Sequence, residues 1–316
     1  MSTESPNPLP SSRPSVLLLG IDAGGSHTTA LVADPGVRVL ARAEGPGAAM
    51  RPGGAAHSAA IIGDTARRAA RQAGVALPAK LAVVGAAGAG RELEQSELAR
   101  ALEQAGIAAV ADVRPDGEIA LYAAFEATPG VLINAGTGSI AFARSPAGQL
   151  LRSGGWGWQM GDEGAGYWMG RRALVEAGRA ADGRAQGSTL ETRLLTALAL
   201  QSFDDLVRWA ATSTPAQVAA LAPHVLNAAR EGETVAKEMV AEAARALVEL
   251  ARPLLAHFPG SGAIPVALTG GLLLPDSLLA RALTEILRRE VPRANLRPGP
   301  VDGALGAAKM AAELVR

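Results

Sequence analysis

The feature that most constrains this chain is an apolar strand that runs directly into a carboxylate, two glycines and a group of hydroxyls. Residues 16–22 are mostly apolar and end at Asp22. Glycines let backbone N–H groups approach an anion closely, hydroxyls add donors, and a carboxylate at a strand end can hold Mg²⁺ through water. The segment predicts a phosphate-binding β-hairpin, and a plain hairpin turn with a polar rim is the alternative. The turn residues concerned are Gly24, Gly25, Ser26 and Thr28.

A second copy of this pattern follows about a hundred residues later, and a related turn lies near the C-terminus. Residues 131–143 again place glycines and hydroxyls between two apolar stretches. Two hairpins of this kind indicate two similar halves that face each other across a cleft. The second turn consists of Gly136, Thr137, Gly138 and Ser139, and the third, which closes an apolar strand, of Thr269, Gly270 and Gly271.

Charge and cysteine content exclude several classes of function. The 316 residues include 30 basic and 30 acidic side chains, so the chain lacks the positive field that nucleic acid requires. The absence of cysteine excludes disulfides, thiolate catalysis and cysteine-ligated iron–sulfur clusters. No apolar run approaches the roughly 18 residues of a membrane helix. We therefore predict a cytoplasmic protein with neither a nucleic-acid nor a membrane partner.

Alternating strand and helix patterns predict an α/β protein, and its length indicates two domains. The predicted strands lie near 16–22, 28–33, 37–44, 81–85, 109–114, 131–135, 140–144 and 265–269. The predicted helices lie near 57–73, 94–105, 163–178, 233–257, 276–290 and 302–315. The predicted divisions are a disordered tail (1–14), an N-terminal domain (15–116) completed by the last helix (303–316), and a C-terminal domain (117–302) with a helical insertion (189–257).

Asp116 is the candidate general base. It follows an apolar strand in the string Arg-Pro-Asp-Gly-Glu, and a carboxylate at a strand end can accept a proton from an attacking hydroxyl. Pro-Asp-Gly is also a common turn string, which is the structural alternative. The position of Asp116, just ahead of a predicted crossing helix and the second hairpin, favours the catalytic interpretation.

The densest functional cluster is the string Gly-Gly-Trp-Gly-Trp-Gln-Met-Gly-Asp-Glu-Gly over residues 154–164. Trp156 offers an apolar face of the kind that stacks on sugar rings, and Asp162 can accept from sugar hydroxyls. The alternative is that Asp162 caps a helix that begins at about residue 163, with the tryptophans in the core. Near the C-terminus, Asp302 is predicted to cap the last helix.

Taken in order, these motifs resemble the BadF/BadG/BcrA/BcrD ATPase family, and more narrowly its N-acetylglucosamine kinase branch. The resemblance covers about residues 16–315, and it is most specific in the block at 154–164. It implies the two-domain actin-like (ribonuclease H-like) ATPase fold with an interdomain cleft. The family's other branch, the radical-enzyme activators, holds an iron–sulfur cluster with cysteines, and this chain has none.

The resemblance also implies an activity: an ATP- and Mg²⁺-dependent homodimeric kinase that phosphorylates the 6-hydroxyl of N-acetylglucosamine or a close relative. Glucosamine, N-acetylmuramate or hexoses in general are alternative acceptors, and a sugar-sensing regulator or a filament-forming ATPase is an alternative class. Ala49 stands near where amino-sugar kinases tend to have an asparagine, so the acceptor stays open. The implied roles are Asp116 as base; Asp22, Gly24, Gly25, Ser26, Thr28, Gly136, Thr137, Gly138, Ser139, Gly270 and Gly271 at ATP; Gly155, Trp156 and Asp162, with Asp116, at the sugar; and Asp22 at Mg²⁺ through water.

Overall fold

The computed structural model describes residues 16–184 and 188–316, so the predicted tail at 1–14 lies outside the described residues. It is an α/β structure, as the sequence predicts. The strands are β1 (Leu18–Ala23), β2 (His27–Ala33), β3 (Val39–Pro46), β4 (Ala79–Ala86), β5 (Ala108–Pro115), β6 (Gly130–Ala135), β7 (Ser139–Arg144), β8 (Leu150–Gly154), β9 (Ile264–Thr269) and β10 (Ala294–Leu296). The helices are α1 (Ala55–Ala73), α2 (Glu92–Gln104), α3 (Asp116–Phe125), α4 (Gly166–Ala181), α5 (Leu190–Ala197), α6 (Phe203–Thr212), α7 (Pro215–Ala219), α8 (Ala222–Arg230), α9 (Thr234–Leu255), α10 (Leu278–Glu290) and α11 (Gly303–Leu314).

Two five-stranded sheets of the same topology form the framework. Their orders are β3-β2-β1-β4-β5 and β8-β7-β6-β9-β10. In each sheet the first three strands form an antiparallel meander, and the last two run parallel to the first strand. This equivalence places the two predicted phosphate hairpins, β1–β2 and β6–β7, at corresponding positions. It also makes Asp22 on β1 the counterpart of Asn134 on β6.

Each sheet buries one face under its own helices. Helices α1 and α2 cover the first sheet, and helices from α4 to α10 cover the second. The remaining faces pack against α3 and α11, which follow the last strand of each sheet and so correspond to one another. Helix α3 contacts both sheets, so the domain boundary predicted at 116 and 117 falls at the start of a shared helix and stays a prediction.

Glycines allow these central elements to approach closely. A Cβ atom on Gly20 of β1 would lie 2.3 Å from the carbonyl oxygen of Ala304 on α11. A Cβ on Gly306 would lie 2.3 Å from the carbonyl oxygen of Ile119 on α3. Because real Cβ contacts are much longer, larger residues would push α11 away from β1 and α3. The layer between the sheets is therefore built around these glycines.

Three features of the structure differ from the predictions, namely the start of α4 and the strands β8 and β10. The helix predicted from residue 163 begins at Gly166, because Asp162 and Gly164 adopt left-handed backbone conformations that a right-handed helix cannot contain. Strands β8 and β10 were not predicted, since one is a half-exposed edge strand and the other has three residues. Helix α1 ends at the C-cap residue Gly74, whose φ of 66° is the left-handed conformation typical of a glycine cap. Within the described ranges, no helix is long and apolar enough to cross a membrane.

Candidate active site

Asp22 lies near the carboxyl end of β1, where it is paired with Gly85 of parallel strand β4. The carboxyl ends of parallel strands are the usual ligand-binding edge of an α/β sheet. The start of α11 touches the Asp22 side chain, since a Cβ on Gly303 would lie 2.4 Å from its Oδ2 atom. The carboxylate is therefore held between the strand end and a helix N-terminus, where a positive partial charge favours anions.

Two further carboxylates act on Asp22. Burial, followed by the negative charges of Asp116 and Asp302, raises the pKa of Asp22 to about 7, against the opposing effect of Arg42. Asp302 accepts a hydrogen bond from the Leu305 N–H at 3.1 Å and forms an ion pair with Arg42 at 2.7 Å. The predicted cap of the last helix is thus confirmed, and the second carboxylate oxygen of Asp302 pairs with Arg42. A cation bound near Asp22 would relieve this repulsion.

Asp116 is the first residue of α3 and directly follows β5. Its Oδ1 atom accepts from the Gly117 N–H at 2.9 Å, and burial raises the pKa of the carboxyl group. A Cβ on Gly85 would lie 3.2 Å from the Asp116 Cα atom, so glycine at that position lets α3 start beside β4. On its other side, a Cβ on Gly117 would overlap the Phe142 ring of β7. Asp116 therefore lies where the two sheets meet.

The first hairpin turn is exposed at Gly25 and Ser26, as a phosphate site requires. The Gly24 carbonyl accepts from the Ala48 N–H at 3.0 Å, which joins this turn to the loop after β3. Thr28 differs from expectation, because its side chain is fully buried and its hydroxyl donates to the Pro46 carbonyl at 2.7 Å. The predicted phosphate contact of Thr28 is at odds with this burial, and its observed contact ties β2 to the end of β3.

The second hairpin turn is fixed by the start of α4. The carbonyls of Gly136 and Thr137 accept from the Gly166 and Tyr167 N–H groups at 2.9 and 3.0 Å. The buried Ser139 hydroxyl donates to the Glu163 carbonyl at 2.8 Å. The turn and the tryptophan-rich block are therefore one connected unit, although many residues separate them in the sequence.

Asp162 faces this hairpin and does not cap a helix. Its Oδ1 atom accepts from the Ser139 N–H at 3.1 Å, and a Cβ on Gly138 would lie 2.6 Å from its Oδ2. Burial is the main cause of the raised pKa of Asp162; the Ser139 N–H opposes the shift and the charge of Glu163 adds to it. The capping alternative is wrong, because α4 begins after Ala165 without a side-chain cap.

The third turn lies against the second hairpin. Gly270 has a φ of 94°, and a Cβ there would lie 2.4 Å from both the Asn134 Oδ1 and the Ala135 carbonyl oxygen. The Leu272 N–H donates to the same Ala135 carbonyl at 3.0 Å. Gly270 and Gly271 therefore adjoin the phosphate-type turn, as a binding role beside a nucleotide requires.

The tryptophans of the block are at the surface and not in the core. Trp156 is 59% exposed and Trp158 is 44% exposed, so the core alternative is wrong. The Gly155 N–H donates to the Ser139 carbonyl at 3.1 Å, which anchors the start of the block to β7. Arg152 lies over Trp156, with 4.3 Å from its guanidinium carbon to the ring centroid. Rings that are exposed to this extent are available to a ligand.

Sequence reasoning missed Arg42, Phe142, Arg152 and Gly303. Arg42 and Gly303 act on Asp22 across a long sequence separation, which no local pattern reveals. Arg152 belongs to strand β8, which was not predicted, and its one signal in the sequence is a charged residue two positions before the glycine-rich block. Across residues 16–184 and 188–316, no group of three or more His, Asp or Glu side chains is arranged to hold a metal by itself.

Fold and site together define the class. Two equivalent sheets with glycine hairpins, joined by α3 and α11, constitute the two-domain ATPase fold shared by actin-like sugar kinases. The profile of the BadF/BadG/BcrA/BcrD ATPase family matches residues 19–311, and the chain belongs to this family.

Relatives of this chain include sugar kinases. An N-acetylmuramic acid/N-acetylglucosamine kinase of Clostridium acetobutylicum is 32% identical over 227 residues, covering 71% of this chain and 74% of that protein. An N-acetyl-D-glucosamine kinase of Dictyostelium discoideum is 30% identical over 58% of this chain and 59% of that protein. A solved structure assigned as an N-acetylglucosamine kinase from Chromobacterium violaceum is 32% identical, covers 96% of this chain and 100% of that chain, and has a TM-score of 0.79.

Proposed function

We propose that this protein is an ATP-dependent kinase that transfers the γ-phosphate to the 6-hydroxyl of N-acetylglucosamine or a close relative. The observation that carries the proposal is the position of Asp116. It starts α3 beside Asp22 of the first sheet, while its neighbour Gly117 packs against Phe142 of the second sheet. The names of the related kinases support an amino-sugar acceptor.

The two glycine turns would hold the phosphates of ATP. Gly25 and Ser26 are exposed in the first turn, and the second turn is fixed from behind by α4. Backbone N–H groups in such turns form concave anion sites. Gly270 and Gly271 adjoin the second turn and would lie against the adenosine. Mg²⁺ would neutralise charge on the β- and γ-phosphates, and Asp22, with its acidic neighbours, is the residue suited to hold it through water.

Asp116 would act as the general base on the acceptor hydroxyl. Burial raises its pKa, which makes the carboxylate a stronger base than an exposed aspartate. The Gly117 N–H fixes one of its oxygens at 2.9 Å and leaves the other for the acceptor. Trp156 would stack on the sugar and Asp162 would accept from its hydroxyls, so that the 6-hydroxyl points at the base.

The test measures ADP release with N-acetylglucosamine, glucosamine, N-acetylmuramic acid and glucose as acceptors. We expect Asp116→Asn to lower kcat by on the order of 10²–10⁴ while sugar binding is retained, because the amide cannot accept the proton. Asp64→Asn, at an exposed position on α1, is the matched control and should match the wild type. Turnover by Asp116→Asn at the wild-type rate would contradict the assignment, and no ADP release with any sugar would contradict the kinase function.

N-acetylmuramic acid is a second candidate acceptor, because the Clostridium relative is named for both amino sugars. Dependence on Mg²⁺, assembly as a homodimer and a cytoplasmic location belong to the same proposal. They are supported by membership of the family.

A further inference from the structure

Arg152 is a cation that the activity proposed above does not use. It lies on β8, the edge strand of the second sheet, and is exposed. Within the part of the chain that the structure describes, no hydrogen bond or ion pair holds its side chain; its observed partner is the Trp156 ring, over which the guanidinium lies at 4.3 Å. Trp156 thus fixes the plane of the guanidinium and leaves its N–H donors without a protein acceptor.

Strand register places Arg152 on the face of the sheet that carries the active site. Arg152 is directly opposite Phe142 in the antiparallel β7–β8 pair, and opposed residues project to the same face. The Phe142 ring packs on Gly117, the residue next to Asp116. Leu151 projects to the other face, where it packs against the core under the helices. Arg152 and Asp116 therefore border the same cleft.

The loops of the first sheet that lie next to β5 carry small, uncharged side chains. Ala86 is paired with Pro115, the residue before Asp116, and the Met50 N–H donates to the Ala87 carbonyl at 2.7 Å. The two loops that meet here, residues 47–50 and 86–90, consist only of alanine, glycine and methionine. Within these loops no side chain can bind a polar substituent, and the charged residues that flank them are Arg51 and Arg91.

The other carboxylates of the candidate site are Asp22, Asp116, Asp162 and Asp302, and Arg42, the cation that acts on Asp22, is already paired with Asp302. A neutral sugar needs no cation in this setting, whereas an anionic acceptor would be repelled unless a cation paired with it. Arginine binds carboxylates through two parallel hydrogen bonds. We propose that Arg152 recognises a carboxylate on the acceptor, so that the site takes an N-acylated hexosamine with a carboxylic acid substituent. This inference rests on the proposed kinase function.

The experiment compares two acceptors that share the 6-hydroxyl and differ in a carboxylate-bearing lactyl group, N-acetylmuramic acid and N-acetylglucosamine. We expect Arg152→Gln to lower kcat/KM for N-acetylmuramic acid by about 10- to 100-fold, mainly through KM, because a charge-assisted contact is lost. For N-acetylglucosamine kcat/KM should stay within about threefold, because the neutral sugar makes no such contact. For N-acetylmuramic acid, the kcat/KM of Arg152→Lys should fall between that of the wild type and that of Arg152→Gln. Arg281→Gln, at an exposed position on α10, should match the wild type.

The outcomes separate this inference from the function on which it rests. Equal losses for both sugars would show that Arg152 only supports Trp156 or serves the nucleotide, and would overturn the inference. A wild-type protein that phosphorylates N-acetylglucosamine but not N-acetylmuramic acid would also overturn it, with the kinase function intact. If the wild type phosphorylates neither sugar, the proposed function itself fails and the inference falls with it.

Discussion

At the scale of single residues, the site depends on carboxylates whose charge is disfavoured by their surroundings. Asp22 is the clearest case, since burial, Asp116 and Asp302 all raise its pKa and only Arg42 opposes them. Perturbed carboxylates of this kind are typical of functional sites. In the absence of a cation, the folded protein is destabilised by the charge on Asp22.

This leads to a prediction for the pH dependence of stability. The ordinary pKa of 3.8 rises to about 7 in the folded state, so between these values the folded state binds more protons than the unfolded state. Stability therefore falls as pH rises from about 4 to about 7, and it changes little above that range. Asp22→Asn should remove this decline, which amounts to at most about 4 kcal/mol before solvent screening.

The measurement is the free energy of unfolding in urea at several pH values, without Mg²⁺ or nucleotide. Asp64→Asn, whose side chain is 80% exposed, is the control and should keep the wild-type profile. Parallel curves for the wild type and Asp22→Asn would contradict the pKa assignment. Asp22→Asn should also bind Mg·ATP more weakly, because the proposed link to Mg²⁺ is lost.

At the scale of elements, the close packing of α11 on β1 and α3 positions the carboxylates of Asp22, Asp116 and Asp302. Asp302 caps α11 and contributes to the charge around Asp22, and Gly303 touches the Asp22 carboxylate. The helix therefore has to lie at one particular distance from the strand, and the glycines at this layer set that distance.

We expect Gly306→Ala to lower the free energy of unfolding by about 1–3 kcal/mol. The added methyl would lie 2.3 Å from the Ile119 carbonyl oxygen and 2.8 Å from the Ala123 Cβ, so α11 and α3 must separate. Gly262→Ala is a matched control, since no atom lies within 4 Å of the Cβ that it adds. Thermal and urea unfolding of both variants test this, and equal stability of the two would contradict the packing argument.

At the scale of the whole molecule, two sheets of one topology meet through a single layer of helices. Helix α3 packs on both sheets, and Asp116, the proposed general base, is its first residue. The exposed tryptophan block is bonded to the second hairpin, and the loop at 47–50 is bonded to the first. This arrangement allows the halves to close on bound substrates, and closure excludes water that would otherwise hydrolyse ATP.

Small-angle scattering provides the test of closure. We expect the radius of gyration to decrease when Mg²⁺, a non-hydrolysable ATP analogue and an acceptor sugar are all bound, and to change less with either ligand alone. Fluorescence of Trp156 and Trp158 should change at the same time, because both rings are exposed and would be covered by a bound sugar. An unchanged radius with calorimetric evidence of binding would show that the halves do not move.

Much of this molecule could be predicted from the sequence. Glycine turns, strand ends and helix caps are local features, so the positions of Asp22, Asp116 and Asp302 follow from the residues around them. The α/β class and most strands and helices follow from hydrophobic periodicity. The edge strand β8 and the start of α4 could not be predicted in this way. The alternation of apolar and polar residues is weak in a half-exposed strand, and residues with left-handed backbone conformation leave no pattern in the sequence.

The sequence by itself determined which chemical groups are present and in what order, because backbone preference and apolar spacing act over short distances. The tertiary structure alone decided which of them meet. It buried the Thr28 hydroxyl against Pro46 and turned Asp162 toward Ser139. It also placed Arg152 on the same face as Phe142. These outcomes depend on strand register and on packing between distant segments, and the electrostatics of the site follow from that packing.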